Sequence, residues 1–478
     1  MLKLENYSVY DESVVEQDGT TYFAVKDNAT GEKKLAVNGD TAGFVGERSG
    51  DTLIAAHTPE NANTLRERLL WLRPVALGVK TSAGFGDRLG VATPGHVEAV
   101  RGTGVAPIFA QQSVRENTRI GRTPQQVMDD AMWGVFQAGW RDDWGADADH
   151  MKVIADVEPF VNADYTFFTI DPGAHVDNAA DSDDDATLRT KVAALQWDTL
   201  ESSPEALHEL YLRTFALDSL TLEFDERSIN KAAAKYAGAI AHTLQMAQHL
   251  RSLKGDAAFD LEMSVDETDT TTTLHEHFYI ASELRRLGVS WQSLAPRFVG
   301  RFEKGVDYIG DLAELEENIA GHAAIMQHFG STYKLSLHTG SDKFGVYPIA
   351  VKHAGGRVHL KTAGTSYLEA LRVMAVVEPE LFREVLDFSR SRFEHDRKSY
   401  YISAVLDKAP ASADLSDAQL PDLLNQFDAR QVLHVTFGSV LDKYGPKLQQ
   451  MLRDYESEYI SAVKAHFDRH LESFARKG

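Results

Sequence analysis

The sequence predicts an α/β protein built on a (β/α)₈ TIM-type barrel, with additions at both ends and inside one loop. Three observations lead there. Beyond Pro74, short apolar runs alternate with long stretches of helical text, as a parallel βα array requires. Eight such runs can be counted, at 75–80, 107–111, 145–150, 165–171, 259–266, 294–299, 334–338 and 358–361. Seven of them end in a residue able to do chemistry and the remaining run, 294–299, carries Arg297; a TIM barrel has its site at the C-terminal ends of its strands.

The chain has 478 residues, more than the ~250 of a bare barrel. Residues 1–72 read as a small α/β preamble. Its β-rich runs lie at 22–25, 35–37 and 53–56 between Gly, Asn and Asp turns, and an amphipathic helix over 59–72 closes it. Residues 73–364 form the catalytic barrel. Between the fourth and fifth strands lies an insertion, 176–255, with an acidic stretch at 181–185 that reads as solvated loop and an Ala-rich helix over 228–253. Residues 365–478 are a helical extension, longer than one barrel helix needs, which either covers the barrel or forms an oligomer contact.

Composition narrows the function. A hydrophobic fraction of 43% with 25% charged residues is ordinary for a globular chain. With 71 acidic against 49 basic side chains the formal charge is -22, which disfavours nucleic acid and anionic membrane as partners. A few local cations could still hold a small anion. No cysteine is present, so disulfides, thiolate metal sites and cysteine nucleophiles are excluded. The N-terminal text lacks a signal-like apolar stretch and no run approaches a membrane span, so the expected address is cytoplasmic.

Strand alternation sorts the polar residues, because positions i and i+2 share a face. In 259–266 it turns Glu262, Ser264 and Asp266 inward and Leu261, Met263 and Val265 outward. In 334–338 it turns Lys334, Ser336 and His338 inward, and in 358–361 His359 and Lys361. Lys80, Asp171 and Arg297 come at similar heights, while Asp149 and His150 close the third strand. Three histidines (His150, His338, His359), several carboxylates and four cations (Lys80, Arg297, Lys343, Lys361) thus converge on one mouth. Neutral imidazoles with carboxylates suit one divalent ion such as Zn²⁺, Mn²⁺, Co²⁺ or Ni²⁺.

Other motifs carry less. His275, Glu276 and His277 look like a metal motif, but i and i+2 point to opposite sides of a helix, so they read as a helix start with one buried histidine. The glycine cluster at 84–90 lacks Walker spacing. The turn at 362–366, opening a helix after the eighth strand, offers free backbone N–H groups for a carboxylate or phosphate, or is a plain capped turn.

At these same residues the chain resembles the tagaturonate epimerase family, which interconverts D-tagaturonate and D-fructuronate and includes members that act on ketohexoses. The stretches that carry the likeness are GDRLG at 86–90, PIFAQQSVREN at 107–117, GADADH at 145–150, FTIDP at 168–172 and SVDET at 264–268. LHTGSDKF at 337–344, KTAGTSYLE at 361–369 and DRKSY at 396–400 complete them, so the likeness spans most of the chain. The resemblance implies a divalent metal, Asp149 as base, Glu262 as acid, and His150 and His338 as metal ligands. For the third ligand, geometry favours His359, with Glu303 as the rival. Around them Lys80, Gln111, Asp171, Asp266, Arg297, Glu303, Lys343 and Lys361 are the substrate-binding candidates.

The substrate implied by the resemblance constrains the chemistry. The carbon that inverts is β to the ketone, so its C–H is not acidified and simple deprotonation is disfavoured. Retro-aldol cleavage, rotation of the aldehyde and re-addition avoid that problem, with a metal acting as Lewis acid. Oxidation by bound nicotinamide is not expected, because no strand–GxGxxG–helix unit is present. A metal-dependent aldolase or ketose–aldose isomerase would use the same ligands. A sugar-acid-binding barrel without catalysis is the reading from another class.

Overall fold

The computed structural model describes residues 4–362 and 364–475. Its centre is a closed barrel of eight parallel strands, Ser82–Gly86, Ala106–Ser113, Gly145–Met151, Phe167–Ile170, Asp260–Ser264, Ser293–Ala295, Lys334–Leu337 and Val358–Thr362. The eighth strand pairs with the first, His359 opposite Ser82 and Lys361 opposite Gly84, which closes the ring.

Seven of the expected runs fall on these strands; the first does not. The strand is Ser82–Gly86, whose sequence SAGFG looks like a turn. A Cβ on Gly84 would run into the Gln111 carboxamide on the neighbouring strand, so a larger residue there would displace that side chain. The apolar run at 75–80 instead crosses the bottom of the barrel. Leu77 packs on Ile108 and Phe167 inside the barrel floor. Buried Asp260 holds it in place, its Oδ2 accepting from the backbone N–H groups of Leu77 and Gly78 at 2.8 and 2.9 Å. A run that plugs a barrel is as apolar as a strand, and periodicity cannot separate the two.

Before the barrel lies a six-stranded antiparallel sheet, in which Thr20–Asp27 pairs with Lys33–Asn38 and that strand with Thr52–Ala56. Its alternation divides two cores. Tyr22, Ala24, Leu35 and Val37 face the main core, while Phe23, Val25, Ala36 and Ile54 form a small cluster on the other face. Helix Pro59–Arg68 follows, with Thr58 as N-cap and Pro59 in its first turn.

The insertion contains helices Asp185–Ala193 and Pro204–Tyr211, a short hairpin and the 29-residue helix Glu226–Lys254, which returns the chain to the fifth strand. The acidic stretch is not simply solvated. Asp181 pairs with Lys231 and Lys235 at 2.7 and 2.8 Å, and Asp184 caps a helix.

The C-terminal helices cover the barrel. Glu456–Leu471 lies against Thr93–Val100, the helix after the first strand, at a contact where a Cβ on Gly95 would come within 2.7 Å of Val463. The segment around Tyr400 and helix Phe427–Val435 reach over the strand ends. No described helix is long and apolar enough to cross a membrane.

Asp260→Ala removes both hydrogen bonds from the plug and should cost about 2–3 kcal/mol in a urea titration, the usual worth of hydrogen bonds to a charged group. Asp260→Asn, which keeps an acceptor, should cost less. A change within 0.5 kcal/mol for Asp260→Ala would mean that the plug does not depend on this carboxylate.

Candidate active site

Inward-facing residues stack in layers up the barrel axis. In the lowest, Lys334 Nζ donates to Ser82 Oγ at 2.8 Å, and the same oxygen meets His359 Nδ1 at 2.9 Å. One layer higher, Lys361 Nζ lies 2.9 Å from Asp147, 2.6 Å from Asp149 and 3.0 Å from Glu262. It also donates to Thr169 Oγ1 at 2.5 Å, and the Thr169 hydroxyl donates to Asp147 Oδ1 at 2.9 Å. All these groups are buried.

Charge in this layer is set by mutual contact. Burial works against the Lys361 ammonium, yet the three carboxylates raise its pKa above the ordinary lysine value. Burial likewise pushes the Glu262 carboxyl up, but Lys361 and His338 overcome it and hold Glu262 ionised, well below the usual range. Asp149 follows the same pattern, with His150 and Lys361 as the compensating groups. Asp147 is different. Burial, offset in part by Lys361 and reinforced by Asp149 and Glu262, pushes it up to about 7.

At the mouth, His150, Asp266 and His338 bring one ligand atom each to within 4.8 Å of one another. Each imidazole is anchored by one nitrogen. His150 Nδ1 meets Asp149 Oδ1 at 2.8 Å, and His338 Nε2 meets Glu262 Oε1 at 2.6 Å. The second nitrogens turn towards Asp266 Oδ1, at 3.7 Å from His150 Nε2 and 3.1 Å from His338 Nδ1. His150 Nε2 is buried with no hydrogen-bond partner. An imidazole with one nitrogen fixed by a carboxylate and the other turned towards a second carboxylate is a usual setting of a divalent-ion ligand. These three residues therefore fit such an ion. His150 (φ 54°) and Thr339 (φ 49°) both sit in the left-handed region, and strain of this kind gathers at functional positions.

Above the cluster opens a cavity of about 510 Å³, walled in part by Arg115, Arg297, Arg301, Lys304 and Tyr400. A narrower recess below it reaches Gln111, Asp149, His338 and Lys361. Both polar atoms of the buried Gln111 carboxamide lack partners.

Several expected residues lie elsewhere. Lys80 is exposed on the plug segment, paired with Asp143 at 3.3 Å at the opposite end of the barrel, because the run that contains it is not a strand. His359 sits one layer below Lys361, level with Ser82 and Ser336, so the third group beside His150 and His338 is Asp266. Glu303 points away, its Oε2 accepting from Ser403 N–H, Ser403 Oγ and Gln431 Nε2. Lys343 is buried and donates to the carbonyls of Glu303, Val306 and Ser341, tying a loop together. Asp171 pairs with Lys152 at 3.0 Å beside the mouth. Arg297 lines the outer cavity while its guanidinium donates to the Thr268 carbonyl.

The turn at 362–366 offers no open anion site. The Arg88 guanidinium packs on Gly364, and Ser366 Oγ donates to the Gly86 carbonyl while meeting His96 Nε2; Ala363 lies outside the described residues. Glu276 caps its own helix and His277 is buried against His322 and Tyr333. A second histidine cluster, Asp342 with His466 and His470, is a structural knot. His470 Nε2 already accepts the Asp342 N–H at 2.9 Å, and Arg430 neutralises the Asp342 carboxylate at 2.8 Å.

Asp147, Arg115, Lys304 and Tyr400 were not singled out from the sequence. Asp147 shares a strand face with Asp149 and was legible by alternation alone. Arg115 and Tyr400 lie inside the family-like stretches, but nothing local marks their side chains as lining a cavity.

Residues 10–474 match the family model described as tagaturonate epimerase. A tagaturonate/fructuronate epimerase from Thermotoga maritima is 42% identical over 476 residues, covering 98% of this chain and 96% of the relative. The crystal structure of a fructuronate-tagaturonate epimerase from Cohnella laeviribosi superimposes with a TM-score of 0.93 at 35% identity, covering 98% of this chain and 96% of that one. The same protein complexed with one glycerol gives a TM-score of 0.92. Matching over nearly its whole length, and carrying a closed barrel with acid–base groups at its mouth, the chain belongs to the tagaturonate epimerase family.

Proposed function

We propose that the protein interconverts D-tagaturonate and D-fructuronate by retro-aldol cleavage and re-addition, using one divalent ion held by His150, His338 and Asp266. The observation that carries this is the contact between Asp149 and Lys361 directly beneath the three-donor cluster, at the floor of a cavity walled by cations. A divalent ion bound there would act as a Lewis acid towards the oxygens of the ketone half of the substrate.

The chain's own groups handle the rest. Asp149, on the recess wall and held ionised, takes the proton of the hydroxyl on the inverting carbon. The bond from that carbon to the α-carbon of the ketone breaks, its electron pair staying on the ketone half and leaving an aldehyde. Rotation about the aldehyde's remaining C–C bond presents its other face, the bond re-forms, and the new alkoxide regains a proton. Glu262, the acid implied by the family likeness, is reached from the recess past His338 and Lys361. The proton that Asp149 took passes through Lys361 Nζ, which touches Asp149 and Glu262 alike, to Glu262, which returns it to the alkoxide. Gln111, with two unpartnered polar atoms at the recess, orients the substrate hydroxyls.

Metal-loaded enzyme incubated separately with D-tagaturonate, D-fructuronate, D-fructose and D-tagatose should form each uronate from the other. Release of three-carbon fragments as the main products would identify an aldolase instead. Dialysis against EDTA should abolish turnover, and Mn²⁺, Zn²⁺, Co²⁺ or Ni²⁺ should restore it; full activity after chelation would remove the metal from the reading.

Asp149→Asn and Glu262→Gln should each lower kcat by about 10²–10⁴-fold, the usual contribution of a positioned acid or base. Wild-type turnover in either variant would take that residue out of its role.

A further inference from the structure

The cations around the cavity differ in what they have left to offer. Lys361 is surrounded by carboxylates, and Arg297, one N–H of which goes to a backbone carbonyl, lines the outer cavity but not the recess. Arg301 is 45% exposed and leans towards Glu303 at 3.8 Å. Lys304 is the remaining case. It lines both the outer cavity and the recess that holds Asp149 and His338, and among the described residues its ammonium has no hydrogen-bond or ion-pair partner. Arg115 stands beside it, 3.4 Å from Glu267 and with its guanidinium 5.7 Å from the centre of the Tyr400 ring.

Two cations sharing one cavity repel each other. Burial and the neighbouring Arg115 both lower the Lys304 pKa, with Glu116, Glu267 and Asp266 only partly opposing them. An anion entering between the two cations relieves that repulsion. In a hexulosonate the carboxylate lies two carbons beyond the inverting carbon, on the side away from the ketone. The group that binds it must therefore share a cavity with the base without being one of the donors proposed for the ketone half. Lys304 lines the recess with Asp149 and is not among the three donors of the cluster.

We propose that Lys304, supported by Arg115, anchors the substrate carboxylate and sets the preference for a keto sugar acid over a neutral ketohexose. This rests on the epimerase reading above. It differs from a general role for the cavity's charge, because it assigns discrimination to one side chain.

The test compares D-tagaturonate with D-tagatose, which differ only in the carboxylate. Lys304→Met should raise KM for D-tagaturonate about 10- to 100-fold with little change in kcat, the signature of lost binding rather than lost chemistry. Lys304→Arg should restore most of the affinity. Binding of both sugars should also be measured by calorimetry in an Asp149→Asn background, where neither sugar is consumed. There Lys304→Met should weaken D-tagaturonate and leave D-tagatose unchanged. Equal weakening of both sugars, or a KM for D-tagaturonate within twofold of wild type, would overturn the assignment. If the wild-type enzyme does not turn over D-tagaturonate, the epimerase reading fails, and the calorimetric pair still decides whether Lys304 binds the carboxylate.

Discussion

The Lys361 ammonium sits among Asp147, Asp149 and Glu262 in the middle of the barrel, and the rest of the site depends on that contact. Asp149 and Glu262, from the third and fifth strands, could not stay ionised at such depth without a cation beside them. Removing one partner from a buried charge cluster costs about 3–5 kcal/mol, because the remaining charges lose their compensation. The cation comes from the eighth strand, the one whose pairing with the first closes the barrel. Closure of the fold and assembly of the charged layer are therefore one event. Through Asp149 and Glu262 the same contact fixes His150 and His338, so the donor cluster at the mouth inherits its geometry from the layer beneath.

A barrel filled this way is polar where many TIM barrels carry branched aliphatic side chains. Lys334, Ser82 and His359 occupy the layer below Lys361, and the apolar seal is moved to the floor, where Leu77 meets Ile108 and Phe167. The C-terminal extension completes the other end by bringing Tyr400, Tyr401 and His434 over the strand ends. Both ends of the barrel are thus covered by segments outside the eight βα units.

Much of this was legible in the sequence for a simple reason. A period of two decides which face a side chain takes, and it placed Glu262, Ser264, His338, His359 and Lys361 inside the barrel, where the structure has them. Alternation does not give height, so His359 was assigned to the mouth although it lies a layer lower. Nor does it mark where a strand begins. The run containing Lys80 looked more like a strand than the glycine-bearing Ser82–Gly86 did, and the room that Gly84 leaves for the Gln111 side chain appears only once the two strands are paired. Glu303 and Lys343 carry chemistry that suits a site, but their loop turns them towards the extension, a direction set by contacts more than a hundred residues away. Lys304 was missed on the same ground, since loop side chains have no periodicity to read.

The central chemical claim is that inversion opens a C–C bond and leaves the hydrogen on the inverting carbon untouched. Turnover of D-tagaturonate in D₂O, followed by NMR of the D-fructuronate formed, tests it directly. The account predicts no deuterium at the inverted carbon after many turnovers, because that hydrogen stays on the aldehyde throughout. Quantitative deuterium at that carbon would contradict it and would recast Asp149 and Glu262 as acid and base for a C–H bond.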